Sequence, residues 1–182
     1  GEGEIRIGDR RVTARGIRDY RARVGLVEQD VALFSGDIAA NIRYSRPQSS
    51  NDDVERAARR AGLFATVRAL PLGFSTPVSH GGAGLSAGQR QLIALARAQL
   101  VNAHILLLDE ATSQLDRAAE ETLMAALAED AHGHGRTALV VAHRLTTARR
   151  CDWVAVMAQG RIVEFGTHDA LLAAGGTYAR LW

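Results

Sequence analysis

Apolar residues alternate with polar ones at Ile5 and Ile7 and resume at Val12 beyond Gly8-Asp9, a pattern that predicts a short hairpin. Residues 23–28 predict a second strand, which delivers Gln29-Asp30 at its end. The spacing then becomes helical: Val54, Ala57, Ala58 and Ala61 share one face, with Asn51 or Asp52 as the cap and Gly62 as the stop. Pro71, Gly73, Pro77 and the glycines of 81–84 predict a long loop. Ser86 then caps a helix whose apolar face is Leu92, Leu95, Ala96 and Leu100. Strands are predicted at 105–109, 137–142 and 153–157, with helices near 116–129 and 146–150 between them. A short strand at 161–164 and a helix at 169–173 end the chain. Alternating strands and helices place the chain in the α/β class, around a mostly parallel, buried sheet.

Composition narrows this picture. With 47% hydrophobic and 23% charged positions among 182 residues, the chain can bury a core and is neither disordered nor collagenous. The net charge of +2 is small and the arginines are spread along the sequence, so a nucleic-acid partner is not expected. Cys151 stands alone, which excludes a disulfide framework and suits a reducing compartment. The longest apolar runs fall far short of the roughly 18 residues of a membrane span, and the first residues do not read as a signal peptide. All 22 basic residues are arginine. A phosphate loop of the form GxxxxGK[ST] needs a lysine and is therefore absent.

The chemistry concentrates in the middle of the chain. Four aliphatics, residues 105–108, end in Asp109-Glu110. A buried strand that releases two carboxylates at its C-terminal end puts them where α/β sheets bind ligands. Asp109 is then placed to hold Mg²⁺ and Glu110 to orient or deprotonate an attacking water. A buried strand ending in an acidic helix cap accounts for the same residues. Upstream, Ser86 and Gln89 of LSAGQ satisfy a capping box, so an ordinary helix start explains them. The glycine-rich approach and Gly88 equally leave backbone N–H groups open to phosphate. His132 and His134 flank Gly133 in a polar turn without further ligands at zinc spacing. Trp153 and Trp182 read as core and terminal anchors.

Taken in order, these features resemble the nucleotide-binding domain of ABC transporters. Gln29 is similar to its Q-loop, Leu85 to Gln89 to its signature motif, Ile105 to Glu110 to its Walker B strand, Ser113 to Asp116 to its D-loop, and His143 to its H-loop. The stretches LFSGDIAANI and GTHDALLAAGGTYARLW resemble the exporter branch. The resemblance implies a P-loop NTPase-like parallel sheet, a helical signature subdomain over about residues 45–100, and a RecA-like core in the remainder of 1–182. It implies ATP and Mg²⁺ as ligands. Glu110, His143 and Gln29 would be catalytic, with Asp109 and Gln29 on the metal. Ser86, Gly88, Gln89 and Asp116 would contact the nucleotide across a dimer of two such domains, identical or homologous. The other implied partner is the transmembrane domain of an exporter, at the cytoplasmic face of the inner membrane.

Departures from the family pattern matter too. The lysine loop, Walker A, would lie about twenty residues ahead of Gly1, so the N-terminal part of the domain is expected to be missing and the chain inactive alone. The strand leading into it would fall between the strands at 137–141 and 153–156, leaving unpaired interior edges. Ala87 stands in place of a usual glycine, Ser79-His80 in place of Gly-Glu, and Gln114 in place of alanine. Two functional classes follow: the ATP-hydrolysing domain of an exporter, or a non-catalytic fragment offering signature and Q-loop surfaces to a partner. DNA-repair ATPases that share the signature carry long coiled-coil arms or zinc modules before it, and the corresponding stretch here is short.

Overall fold

The computed structural model describes residues 4–7, 9–13, 20, 21, 23–101, 103–142 and 144–182. It divides into two compact units, residues 1–140 and 141–182.

In the first unit, β1 (Arg6–Ile7) and β2 (Arg10–Arg11) pair antiparallel, with Arg6 opposite Arg11. A three-stranded sheet follows, in the order β3 (Val24–Glu28), β6 (Ile105–Asp109), β7 (Thr137–Val141). A second, two-stranded pairing joins β4 (Gly36–Asp37) to β5 (Pro77–Val78). Helices α1 (Ile38–Arg43), α2 (Asn51–Arg60) and α3 (Phe64–Arg68) lie between β4 and β5 in sequence. After β5 come α4 (Ala87–Leu100) and, beyond β6, α5 (Arg117–His134).

Side chains explain why these elements start where they do. Asp37 caps α1 by accepting from the Ala40 N–H at 2.7 Å. Ser50 and Asp53 form a reciprocal capping box on α2, and Asp116 caps α5 through Ala119 N–H at 2.8 Å. Helix α4 is buried along most of its length, its aliphatic run 92–96 packed inside: Ile93, Leu95 and Ala96 are fully covered. It crosses β3 at Gly25, where a Cβ would stand 2.9 Å from both Ala98 Cβ and Leu106 Cδ2.

The sheet of this unit buries only one face. Val27, Leu106 and Leu108 point into the core, whereas Leu26 is 53% exposed and Leu139 61% exposed on strands of the same sheet. Strand β7, at the end of its sheet, buries none of its residues. Helix α5 extends past the expected 116–129 to His134, so His132 and His134 belong to its last turn rather than to a polar loop. Among the described residues, no group of three or more metal-type side chains converges, and no helix is long and apolar enough to cross a membrane.

The second unit holds α6 (Leu145–Ala148), the antiparallel hairpin β8 (Val154–Ala158) and β9 (Arg161–Gly166), and α7 (His168–Ala173) and α8 (Thr177–Leu181). The hairpin turns at Gln159-Gly160, both with positive φ, 50° and 74°, the handedness that suits a two-residue connection. Val154, Val156, Leu171 and Tyr178 form its core. The expectation that Trp153 is a core residue fails. Alternation along β8 turns Val154 and Val156 inward, and Trp153 is 61% exposed, stacked on Phe165 at 5.3 Å. Trp182 is 48% exposed and meets the His168 ring edge-on at 4.7 Å.

Glu164 of β9 caps α8 by accepting from the Thr177 and Tyr178 backbone N–H groups, the second at 3.0 Å. These bonds hold its carboxyl below the ordinary value of 4.5. A depressed carboxylate stabilises the fold fully above its unfolded pKa and loses that contribution as pH falls through the folded one. Amide exchange of α8 is therefore expected to accelerate as pH drops below about 4.5 in the wild type, after correction for intrinsic exchange, and to lose this pH dependence in Glu164→Gln. Equal acid sensitivity in both would remove Glu164 as the cause.

Candidate functional site

Strands β3 and β6 run parallel in a register that sets Val24 beside Ile105 and ends with Glu28 beside Asp109. The next residues along each chain, Gln29 and Glu110, therefore emerge together at the C-terminal edge of the sheet, where open α/β sheets take ligands. A cleft of about 360 Å³ opens there, lined by Glu28, Gln29, Asp30, Asp109 and Glu110. Asp109 is exposed, and Glu110 and Gln29 are partly buried. Glu110 has φ of +52°, a left-handed backbone that a non-glycine residue adopts at a cost. Its carbonyl accepts from Ser113 N–H at 3.0 Å, closing the turn that follows the strand. Strain held at the tip of a strand, in a carboxylate facing a cleft, is a recurrent property of functional positions.

The donor set in the cleft is entirely oxygen, carboxylate and amide, which suits a hard cation such as Mg²⁺. The side chains do not enclose a complete cage, and Mg²⁺ bound with a nucleotide does not need one. It takes one or two carboxylates and fills the remaining positions with phosphate and water.

Two residues that the sequence reading did not single out tie this edge to α4. The Gln91 Nε2 group donates to the carbonyls of Glu28 at 3.1 Å and Gln29 at 2.9 Å, and the residue is 3% exposed. Arg97 donates to the carbonyls of Asn41 at 3.0 Å and Ala32 at 3.1 Å, pinning the segment that follows Gln29. Gln91 and Arg97 flank the aliphatic run 92–96, which is the sequence signal that was available for both. Their partners lie 56 to 65 positions away, however, and no local pattern identifies them.

The signature-like segment sits at the start of α4, and none of Ser86, Gly88, Gln89 or Asp116 lines the cleft. Ser86 Oγ accepts from Gln89 N–H at 3.1 Å, and Gln89 Oε1 accepts from Ser86 N–H at 2.8 Å, a complete capping box. Ser86 is nonetheless exposed. Gly88 does not keep the terminus open to solvent, as the sequence suggested. A Cβ there would stand 2.7 Å from Ala119 Cβ, so the glycine lets α4 pack directly on α5. Ala87 in place of glycine is accommodated because its φ is not positive. His143 lies outside the described residues.

A sequence model described as ABC transporter matches residues 1–113, which include the cleft and the start of α4. The chain belongs to the ABC transporter family. It is 47% identical over 165 residues to the ATP-dependent lipid A-core flippase of Chromobacterium violaceum, covering 91% of this chain and 28% of that protein. With the human ATP-binding cassette sub-family B member 6 it shares 44% identity over 180 residues, 99% of this chain and 21% of that protein. The structure is similar to that of a bacterial Atm1-family ABC exporter with ATP bound, with a TM-score of 0.80, 40% identity, and coverage of 89% of this chain and 28% of that one. The chain thus spans under a third of the length of these relatives. The likeness to exporters agrees with the exporter-like stretches of the sequence, and the α/β fold is the one the ABC resemblance implied.

Proposed function

We propose that this chain is part of the ATP-hydrolysing domain of an ABC exporter, which drives substrate across a membrane through ATP-dependent pairing of two such domains. The observation that carries this reading is the register of β3 against β6, which brings Gln29, Asp109 and Glu110 to one cleft. In the reaction, Glu110 accepts a proton from water as its oxygen attacks the γ-phosphorus. The bond from that phosphorus to the β–γ bridging oxygen breaks, and ADP and phosphate leave. Asp109 and Gln29 would hold Mg²⁺, which neutralises phosphate charge when bound. Gln29 also faces the attacking water, and His143 would hydrogen-bond the γ-phosphate.

Ser86, Gly88, Gln89 and Asp116 lie away from the cleft of their own chain, which supports a role toward the nucleotide held by a second copy or a homologue. The domain would act at the cytoplasmic face, attached through the exporter's transmembrane part. With no lysine to neutralise the β/γ-phosphates, the 182-residue chain alone is expected to bind Mg-ATP weakly and not to turn it over.

The dimeric reading is tested by Ser86→Arg in the complete protein, which fills the exposed position before α4 with a bulky cation. ATP hydrolysis is expected to fall by about 10²-fold or more, the scale of losing preorganised donors to the reacting phosphate. Nucleotide affinity of the separated domains should be unchanged. Hydrolysis within a few-fold of the parent would rule out a contribution from this segment.

A further inference from the structure

The segment 29–32 leaves the cleft with α4 holding it at both ends. Arg97 fastens the far end through the Ala32 carbonyl at 3.1 Å, and Gln91 the near end through the carbonyls of Glu28 at 3.1 Å and Gln29 at 2.9 Å. Arg97 also binds the Asn41 carbonyl, so it ties two segments together. Gln91 instead spends its amide nitrogen on carbonyls that are neighbours in the chain. In an extended strand such neighbours point to opposite edges, so one donor collects both only where the chain turns out of the strand. Strand β3 ends at Glu28, and the chain bends at Gln29-Asp30. The Gln91 amide therefore grips the turn whose backbone angles aim the Gln29 side chain.

Filling space does not account for an amide at this position. Gln91 is 3% exposed, and with Nε2 turned to the two carbonyls its Oε1 is buried without a hydrogen bond among the described residues. The opposite orientation would set an acceptor against two acceptors. An orphaned buried oxygen costs free energy that an apolar side chain of the same length avoids. What offsets that cost is the pair of carbonyls the nitrogen holds. Both belong to residues that line the cleft with Asp109 and Glu110, whereas Gln91 does not line it.

We infer that Gln91 is a positioning residue for hydrolysis: through the carbonyls of Glu28 and Gln29 it fixes the angle at which the Gln29 side chain enters the cleft. The inference rests on the hydrolytic reading above, in which Gln29 faces Mg²⁺ and the attacking water. A misplacement of about 1 Å in a group that orients reactants costs up to about 10²-fold in rate. An anchor on the backbone of Gln29 therefore has leverage on turnover without touching the nucleotide, and it acts on the chemical step more than on nucleotide affinity.

The test is a double-mutant cycle in the complete protein that carries this chain: parent, Gln91→Met, Gln29→Ala and the double variant. Methionine matches the length of glutamine and removes the orphaned oxygen along with the donors, so the urea midpoint is expected to stay near that of the parent. In Gln91→Met, kcat for ATP is expected to fall about tenfold or more with KM little changed. The same substitution made on Gln29→Ala is expected to cost less than about twofold, because two residues that act through one group are not additive. Without nucleotide, amides of residues 29–31 should exchange faster in Gln91→Met, while those of 24–28 keep the parent's protection. Gln91→Glu, which keeps the shape and sets a carboxylate against the carbonyls, is the second variant and should show the same pattern should methionine disturb packing. An equal loss on both backgrounds, unchanged exchange at 29–31, or a Gln29→Ala variant as fast as the parent would overturn the positioning role. Gln91→Met as fast as a hydrolysing parent would overturn it alone, whereas a complete parent that does not hydrolyse ATP would remove the hydrolytic reading and this inference with it.

Discussion

Glu110→Gln in the complete protein is expected to lower ATP hydrolysis by about 10²–10⁴-fold, the usual worth of a general base, while nucleotide binding persists. Gln keeps the size and the hydrogen-bonding ability of the side chain but cannot take a proton. The backbone argues for this residue over its neighbour. Glu110 sits at φ +52°, held there by the turn to Ser113, whereas Asp109 is the last residue of a regular strand paired with Glu28. Asp109→Asn should therefore act differently, through weaker Mg²⁺-dependent binding. Single-turnover hydrolysis and nucleotide affinity, measured in parallel on both variants, separate the two roles. Turnover of Glu110→Gln within a few-fold of the parent would remove it as the base and make His143 the leading candidate.

The parts of the fold that local pattern controls were legible in the sequence. The aliphatic runs before Asp109 and after Arg136 are strands, and the Ser86 capping box opens a long helix. Residues 38–43 do not read as a helix because the segment is only six residues long, with its polar cap at Asp37 in the two-residue strand β4. The β4–β5 pairing joins residues some forty positions apart, and no local signal announces it. The site divides in the same way. Asp109 and Glu110 could be named from residue type and position, and Gln29 from the resemblance to the ABC family. That they share one cleft depends on a parallel register between strands about eighty positions apart. Gln91 and Arg97 work through backbone carbonyls, which have no identity in a sequence. Trp153 shows the limit of residue type: a strand has two faces, and Val154 and Val156 had already taken the inner one.

Asp130→Ala is expected to cost about 3–5 kcal/mol of stability, because it removes a buried carboxylate that balances the charge of two guanidiniums rather than merely deleting a contact. Asp130 is 2% exposed and binds two guanidiniums, Arg60 on one oxygen and Arg136 on the other. The Arg136 side chain is itself 6% exposed. Burial alone would raise the Asp130 pKa, but the Arg60 hydrogen bond and charge, with Gln99 and Arg136, outweigh it and hold the group below its ordinary value of 3.8. The stabilisation is thus complete above that value and is lost as pH falls through the lower folded pKa. Removing the carboxylate takes from Arg136 a buried, oppositely charged partner at 3.1 Å and leaves the Gln99 amide oxygen in contact with it. Against a typical domain stability of about 5–15 kcal/mol, that loss would shift the urea midpoint far enough to approach unfolding. The double variant Asp130→Leu with Arg136→Met removes both buried charges together and should recover most of the loss, since apolar replacement of a buried pair is often neutral or stabilising. Urea unfolding of the parent, the single and the double variants decides it. A single-variant loss below about 1 kcal/mol would mean that the cluster behaves as a solvated surface pair, and a double variant no better than the single would mean that packing, not stranded charge, sets the cost.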